Sequence, residues 1–142
     1  MMISRVTLAT AICALVALSG CVSTRSNLAG TAERLEHSSA ALAQDTDRLP
    51  RNSDYPTGYT RDTEQLAEDS RHFRHVAEDR DASDGDVKAA FRRVSHSYLL
   101  VRDDVEHSES REARDDLKPV TDAYLDLERE VGGYPVHRAS AD

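Results

Sequence analysis

His72 and His75 are the closest pair among the chain's six histidines, and Asp69 precedes them by three residues. Asp69-x-x-His72 with His75 is a donor set for a borderline divalent ion such as Zn, Cu or Ni, held weakly at a surface. Counting 100° per residue from Leu66 places His75 opposite the apolar side of its helix and His72 about 120° from that side. No glutamate has a histidine three residues further on, so the inward Glu-x-x-His pairs of a di-metal bundle are missing. Gly-x-Ser-x-Gly, His-Glu-x-x-His and phosphate-cradling glycine loops are missing too. Adjacent acids such as Asp103-Asp104 and Asp115-Asp116 diverge by about 100° on a helix and read as solvated surface or caps. The expectation is a protein that is not an enzyme.

The two cysteines are Cys13 and Cys21. Cys13 lies inside Val6 to Leu18, a run that is apolar except for Thr7 and Thr10 and follows Arg5. Thirteen residues fall short of the roughly 20 that a membrane-spanning helix needs, while a basic start and a short apolar run are the form of a secretory signal. Leu18-Ser19-Gly20-Cys21 closes the run and resembles the lipobox of a bacterial lipoprotein precursor, the class cut by signal peptidase II. That resemblance implies that residues 1–20 are a signal peptide and that Leu18, Ser19 and Gly20 form the cleavage motif. It also makes Cys21 the lipidated first residue, with a diacylglyceryl thioether and an N-acyl chain such as palmitate. Two or more acyl chains are what stable anchoring requires. No other cofactor is expected, and the processed chain would hold no free thiol. In that class an aspartate after the cysteine is associated with inner-membrane retention. Val22 stands there instead, which implies the periplasmic face of the outer membrane, or the cell surface in a host with a single membrane.

Removing residues 1–20 takes Arg5 and no acid, leaving 122 residues with 17 basic against 26 acidic side chains. That is one domain's worth of chain. A net charge of −9 without a Lys/Arg stripe argues against nucleic acid and against electrostatic docking on anionic lipid. Membrane contact should come through the lipid anchor alone.

Apolar and small residues recur at alternating steps of four and three along four segments, the seam of helices packed at small angles. The first seam is Leu28, Ala32, Leu35, Ser39, Leu42, Thr46 and Leu49, and the second is Tyr59, Thr63, Leu66, Ser70, Phe73 and Ala77. The third is Val87, Phe91, Val94, Tyr98, Val101 and Val105, and the fourth Ala113, Leu117, Val120, Tyr124, Leu127 and Val131. Helices are expected over 28–49, 59–82, 84–108 and 111–131, with residues 21–27 as the lipidated cysteine and an extended leash, and 132–142 as a tail. Pro50 to Gly58 reads as a loop, and Ser83 with Asp86 as a capping box. Gly132-Gly133 should stop the last helix. Pro119 either kinks that helix or lies in its first turn behind a cap at Asp115 or Asp116. Short connections favour antiparallel neighbours, so the predicted fold is all-α, an antiparallel up-down-up-down four-helix bundle. A coiled coil between chains is the rival, disfavoured because no seam exceeds about three heptads. Small residues in the first two seams signal either close helix approach or a groove.

The outer face of the third helix carries Arg92, His96, Leu99, Leu100, Asp103 and His107. Leu100 lies about 220° from Val87 and has no core to join in a simple bundle. These residues are the expected partner surface. The leading reading is a non-catalytic envelope protein that binds or scaffolds another envelope protein. The alternatives are a periplasmic metal or small-ligand carrier built on Asp69, His72 and His75, and an inhibitor or immunity lipoprotein acting against a cell-wall-degrading enzyme.

Overall fold

A computed structural model describes residues 19–48, 58–108 and 110–132, the first eight by backbone alone. Among them are four helices and no strand: α1 (Ser19–Asp47), α2 (Tyr59–Glu78), α3 (Asp84–His107) and α4 (Arg111–Glu130). No helix among the described residues is long and apolar enough to cross a membrane. Residues 1–18 of the expected signal, with Leu18 of its motif, lie outside the described residues, as do Leu49, the loop 50–57 and the tail beyond Gly132.

The seam positions are where the core forms. Each described one is buried except Leu28 and Val131, which are half-buried and pack against the same cluster. Fully burying one Leu, Val or Phe side chain contributes about 1.5 to 3 kcal/mol, offset by the entropy of ordering the chain. α1 packs along α2 and α4, and α2 also along α3, while the α3 and α4 backbones approach less closely than those pairs. Side-chain size explains the difference. The α1–α2 seam is built from Ala32, Ser39, Thr46, Thr63 and Ser70, which allow close approach and decide the small-residue question for packing rather than a groove. Between α3 and α4 stand rings instead: Tyr98 and Tyr124 stack at 4.1 Å between centroids, and Phe91 lies 5.9 Å from Tyr124. Phe73 of α2 meets Phe91 edge-on at 6.2 Å, extending the column across the core.

Local signals set the helix ends. Ser83 caps α3: its Oγ accepts from the Asp86 N–H at 3.2 Å, and its own N–H donates to the Asp86 carboxylate at 2.9 Å. The hydrogen bonds from Ser83 hold the Asp86 carboxyl below its ordinary value. The stability they add is present at neutral pH and is lost as pH falls through that lowered value. Ser110 caps α4, accepting from Ala113 N–H at 3.2 Å. Gly58 before α2 has φ of 110° and Gly132 after α4 has φ of 92°, the left-handed region that side chains with a Cβ rarely adopt.

Three boundaries differ from expectation. α1 is helical from Ser19, so residues 22–27 continue it and rise about 9 Å instead of reaching about 20 Å as a leash. No glycine or proline falls between Val22 and Asn27 to break it. α2 ends at Glu78 rather than 82, because Asp79 turns extended and its Oδ1 accepts from Asp81 N–H at 2.9 Å, a local bond that competes with helix. Pro119 lies inside α4, beyond its first turn, so neither Asp115 nor Asp116 is the cap; the missing N–H leaves the Asp115 carbonyl without its helical donor. Ser83→Ala removes the α3 cap and should lower stability by about 1 kcal/mol in urea denaturation with an unchanged slope.

Candidate functional site

Asp69, His72 and His75 do not come together. Asp69 lies about 60° from Leu66 on the helical wheel, at the flank of the seam, and it is buried at 5% exposure. Its Oδ2 accepts a short hydrogen bond from Ser97 Oγ of α3, and its Oδ1 lies 3.5 Å from Arg93 Nε. The carboxylate is therefore used in joining α2 to α3. His72 and His75 are both exposed. His72 lines an open cleft of about 410 Å³ beside Arg93, Asp79, Asp81 and Asp86, and His75 is not part of its wall. Two of these acids are engaged locally, Asp86 in the α3 cap and Asp79 in its turn. Among the described residues no group of three or more His, Cys, Asp or Glu is gathered so that it could hold a metal ion. The expected triad was built on sequence spacing, and the inward flank position of Asp69 is what separates it from the histidines.

The outer face of α3 has a different composition from its core side. Arg92, His96, Leu100, Asp103 and His107 are exposed, with Leu100 at 40%, while Leu99 is half-buried and packs against the core. Arg92 Nε donates to the Lys88 carbonyl at 3.4 Å, and His107 Nδ1 donates to the Asp103 carbonyl at 2.8 Å. That hydrogen bond first, and then the Asp103 charge, raise the His107 pKa. Its added stability is present below the ordinary imidazole value and is lost as pH rises through the folded value. α4 adds Leu125, exposed at 42%. The wheel placed it about 140° from Val120, so the signal was available and was missed.

Buried polar residues beside the seams were also missed. Ser95 and Ser97 of α3 and Thr31 of α1 are buried, each with a cross-helix partner. Tyr124 Oη donates to Ser95 Oγ at 3.2 Å, Ser97 meets Asp69, and Thr31 Oγ1 donates to Glu130 at 2.9 Å. Burial pushes the Tyr124 phenol up, against the lowering effect of Ser95. On the outside, Glu36 of α1 pairs with Arg71 and Arg74 of α2, and Asp126 of α4 takes Arg34 of α1 at 3.1 Å. These arrangements connect helices.

Comparison with protein-family models, with curated proteins and with solved structures returned no match.

The difference between a connecting carboxylate and a ligand is measurable. Asp69→Ala should cost about 1 to 3 kcal/mol, since it removes a buried acceptor from Ser97 and Arg93. His72→Ala should stay within about 0.5 kcal/mol. Denaturant unfolding of both variants decides it, and an Asp69→Ala chain as stable as wild type would remove the connecting role.

Proposed function

We propose that this chain is a lipid-anchored, non-catalytic envelope protein whose helical bundle binds or scaffolds another envelope protein. The observation that carries the reading is Leu18-Ser19-Gly20-Cys21 at the exit of a short apolar run. Cys21 is the anchor, the outer membrane's periplasmic face the location, and acyl chains the membrane contact. The bundle is up-down-up-down with antiparallel neighbours, a reading supported by the cross-helix pairs Thr46 with Thr63, Asp69 with Ser97, Tyr124 with Ser95 and Thr31 with Glu130. Each pair joins the positions that such a topology brings to one level. Binding through the outer α3 face is supported by Leu100, an exposed large apolar side chain among His96, Asp103 and His107.

Labelled palmitate fed to expressing cells should enter the wild-type chain and not Cys21→Ser, and the variant should leave the membrane fraction. An unlabelled wild-type chain refutes the anchor. Leu100→Ser should change stability by no more than about 0.5 kcal/mol while weakening crosslinks to the partner in the native envelope. A stability loss of about 2 kcal/mol or more would make Leu100 core instead of contact.

A further inference from the structure

Acids from all four helices gather in two neighbouring pairs. Asp62 of α2 faces Asp104 of α3, and Asp45 of α1 faces Asp116 of α4. Thr46 Oγ1 and Thr63 Oγ1, each next in sequence to one of these acids, share a hydrogen bond of 2.8 Å, so both pairs belong to the same end of the helices. Asp104 Oδ2 is shut off from solvent and has no hydrogen-bond partner among the described residues. Its neighbour, the Asp62 carboxyl, is only 12% exposed and already takes Arg61 at 2.9 Å on Oδ1. Two carboxyl groups thus meet with an orphaned acceptor between them. A buried acceptor without a donor costs free energy, and what satisfies two facing carboxyl oxygens is one proton held between them.

We propose that a proton shared between Asp104 and Asp62 is a latch that ties the last turn of α3 to the first turn of α2 as the surroundings acidify. The proton comes from solvent, bonds to Asp104, and is donated to the Asp62 carboxylate. Helix polarity selects the carrier. Asp62 lies in the first turn of α2, where the positive end of the helix dipole favours a negative charge. Asp104 lies in the last turn of α3, where the unpaired carbonyls oppose one.

The charged groups that act on Asp104 are Arg61 and Asp62 from α2 and, on its own helix, Asp103 and the His107 imidazole, whose charge is coupled to that of Asp104. Burial raises its carboxyl most, followed by the Asp62 charge, the acceptor that Asp62 offers to a protonated Asp104, and the Asp103 charge, with Arg61 opposing. α1 and α4 act on the adjacent pair, where Asp116 is raised by burial, then by Glu112, Asp45 and Asp115. The folded values of both acids lie above the unfolded ones, so the folded chain binds these protons more tightly. Stability is then gained as pH falls through the folded values, and the gain is complete below the unfolded value. The latch closes as pH falls through the raised value of Asp104 and opens again above it. Asp86 acts in the opposite direction only below the ordinary aspartate range, so the two effects occupy different parts of the pH scale.

Hydrogen exchange and thermal unfolding of the full chain in a non-ionic detergent, at neutral pH and at about pH 5, test the latch. After correction for intrinsic rates, amides near residues 59–63 and 103–107 in wild type should become several-fold better protected in acid. Asp104→Asn carries a permanent donor to Asp62. In a His107→Ala background, which removes the histidine that also adds stability as pH falls, it should melt higher than its Asp104 parent at neutral pH and lose most of the remaining acid response, and Asp62→Asn should do the same from the other side. Asn variants that melt lower at neutral pH, or that keep the parent's response, overturn the proposal. Calcium added at neutral pH provides a control: tightening by calcium that Asp104→Asn abolishes would mean a bridging cation in place of the proton.

Discussion

The aromatic column Phe73, Phe91, Tyr124, Tyr98 is the interaction on which the rest of the bundle depends. α1 and α2 can approach closely because their seam residues are small, but the same closeness leaves little side-chain volume to hold α3 and α4. The rings supply that volume. They span the distance that the α3 and α4 backbones leave open, and the Tyr98 and Tyr124 hydroxyls end on Thr121 and Ser95 instead of being buried without partners. Large apolar surface and a satisfied polar tip are combined in one residue type. This is why tyrosine, in a core that also holds Phe, Val, Leu and Ala, occupies these two positions.

Electrostatics follow from the same geometry. With acids far outnumbering bases, helix ends must hold carboxylates whether or not the dipole favours them. Asp86 and Asp62 sit at N-termini, where local donors or helix polarity support the charge. Asp104 sits at a C-terminus against another carboxyl. The surface ion pairs, such as Arg34 with Asp126, are mostly exposed and contribute little each. The buried Asp69 differs, since Ser97 and Arg93 meet a carboxyl that is only 5% exposed.

Much of the architecture was legible in sequence. Every described seam position is at least half-buried, and the cap at Ser83 and the stop at Gly132 obey rules that involve only a few consecutive residues, whereas the α4 cap is Ser110 and not Asp115 or Asp116. What sequence reading misplaced depends on neighbours. A wheel locates Asp69 within 60° of the seam, but its meaning comes from Ser97 across the interface, twenty-eight residues away. The orphaned oxygen of Asp104 likewise exists only because Asp62 arrives from another helix. The end of α2 was misjudged for a smaller reason: the Asp79 side chain offers its backbone an alternative bond that periodicity does not register.

The cross-helix polar pairs have a consequence for axial position. Buried hydroxyls such as Ser39 and Ser95 also donate to carbonyls of their own helix, and those bonds survive any sliding of one helix past another. An apolar seam with a repeating four-three step is nearly indifferent to sliding as well. Thr46 with Thr63, Asp69 with Ser97, Tyr98 with Thr121 and Thr31 with Glu130 act as keys on smooth rails. Losing a key would leave the spacing between helices intact but free one of them to move by a full turn, about 5.4 Å. A displacement of that size would carry an exposed residue such as Leu100 to a new level without unfolding the protein, so the alignment of the outer surface depends on a few buried oxygens.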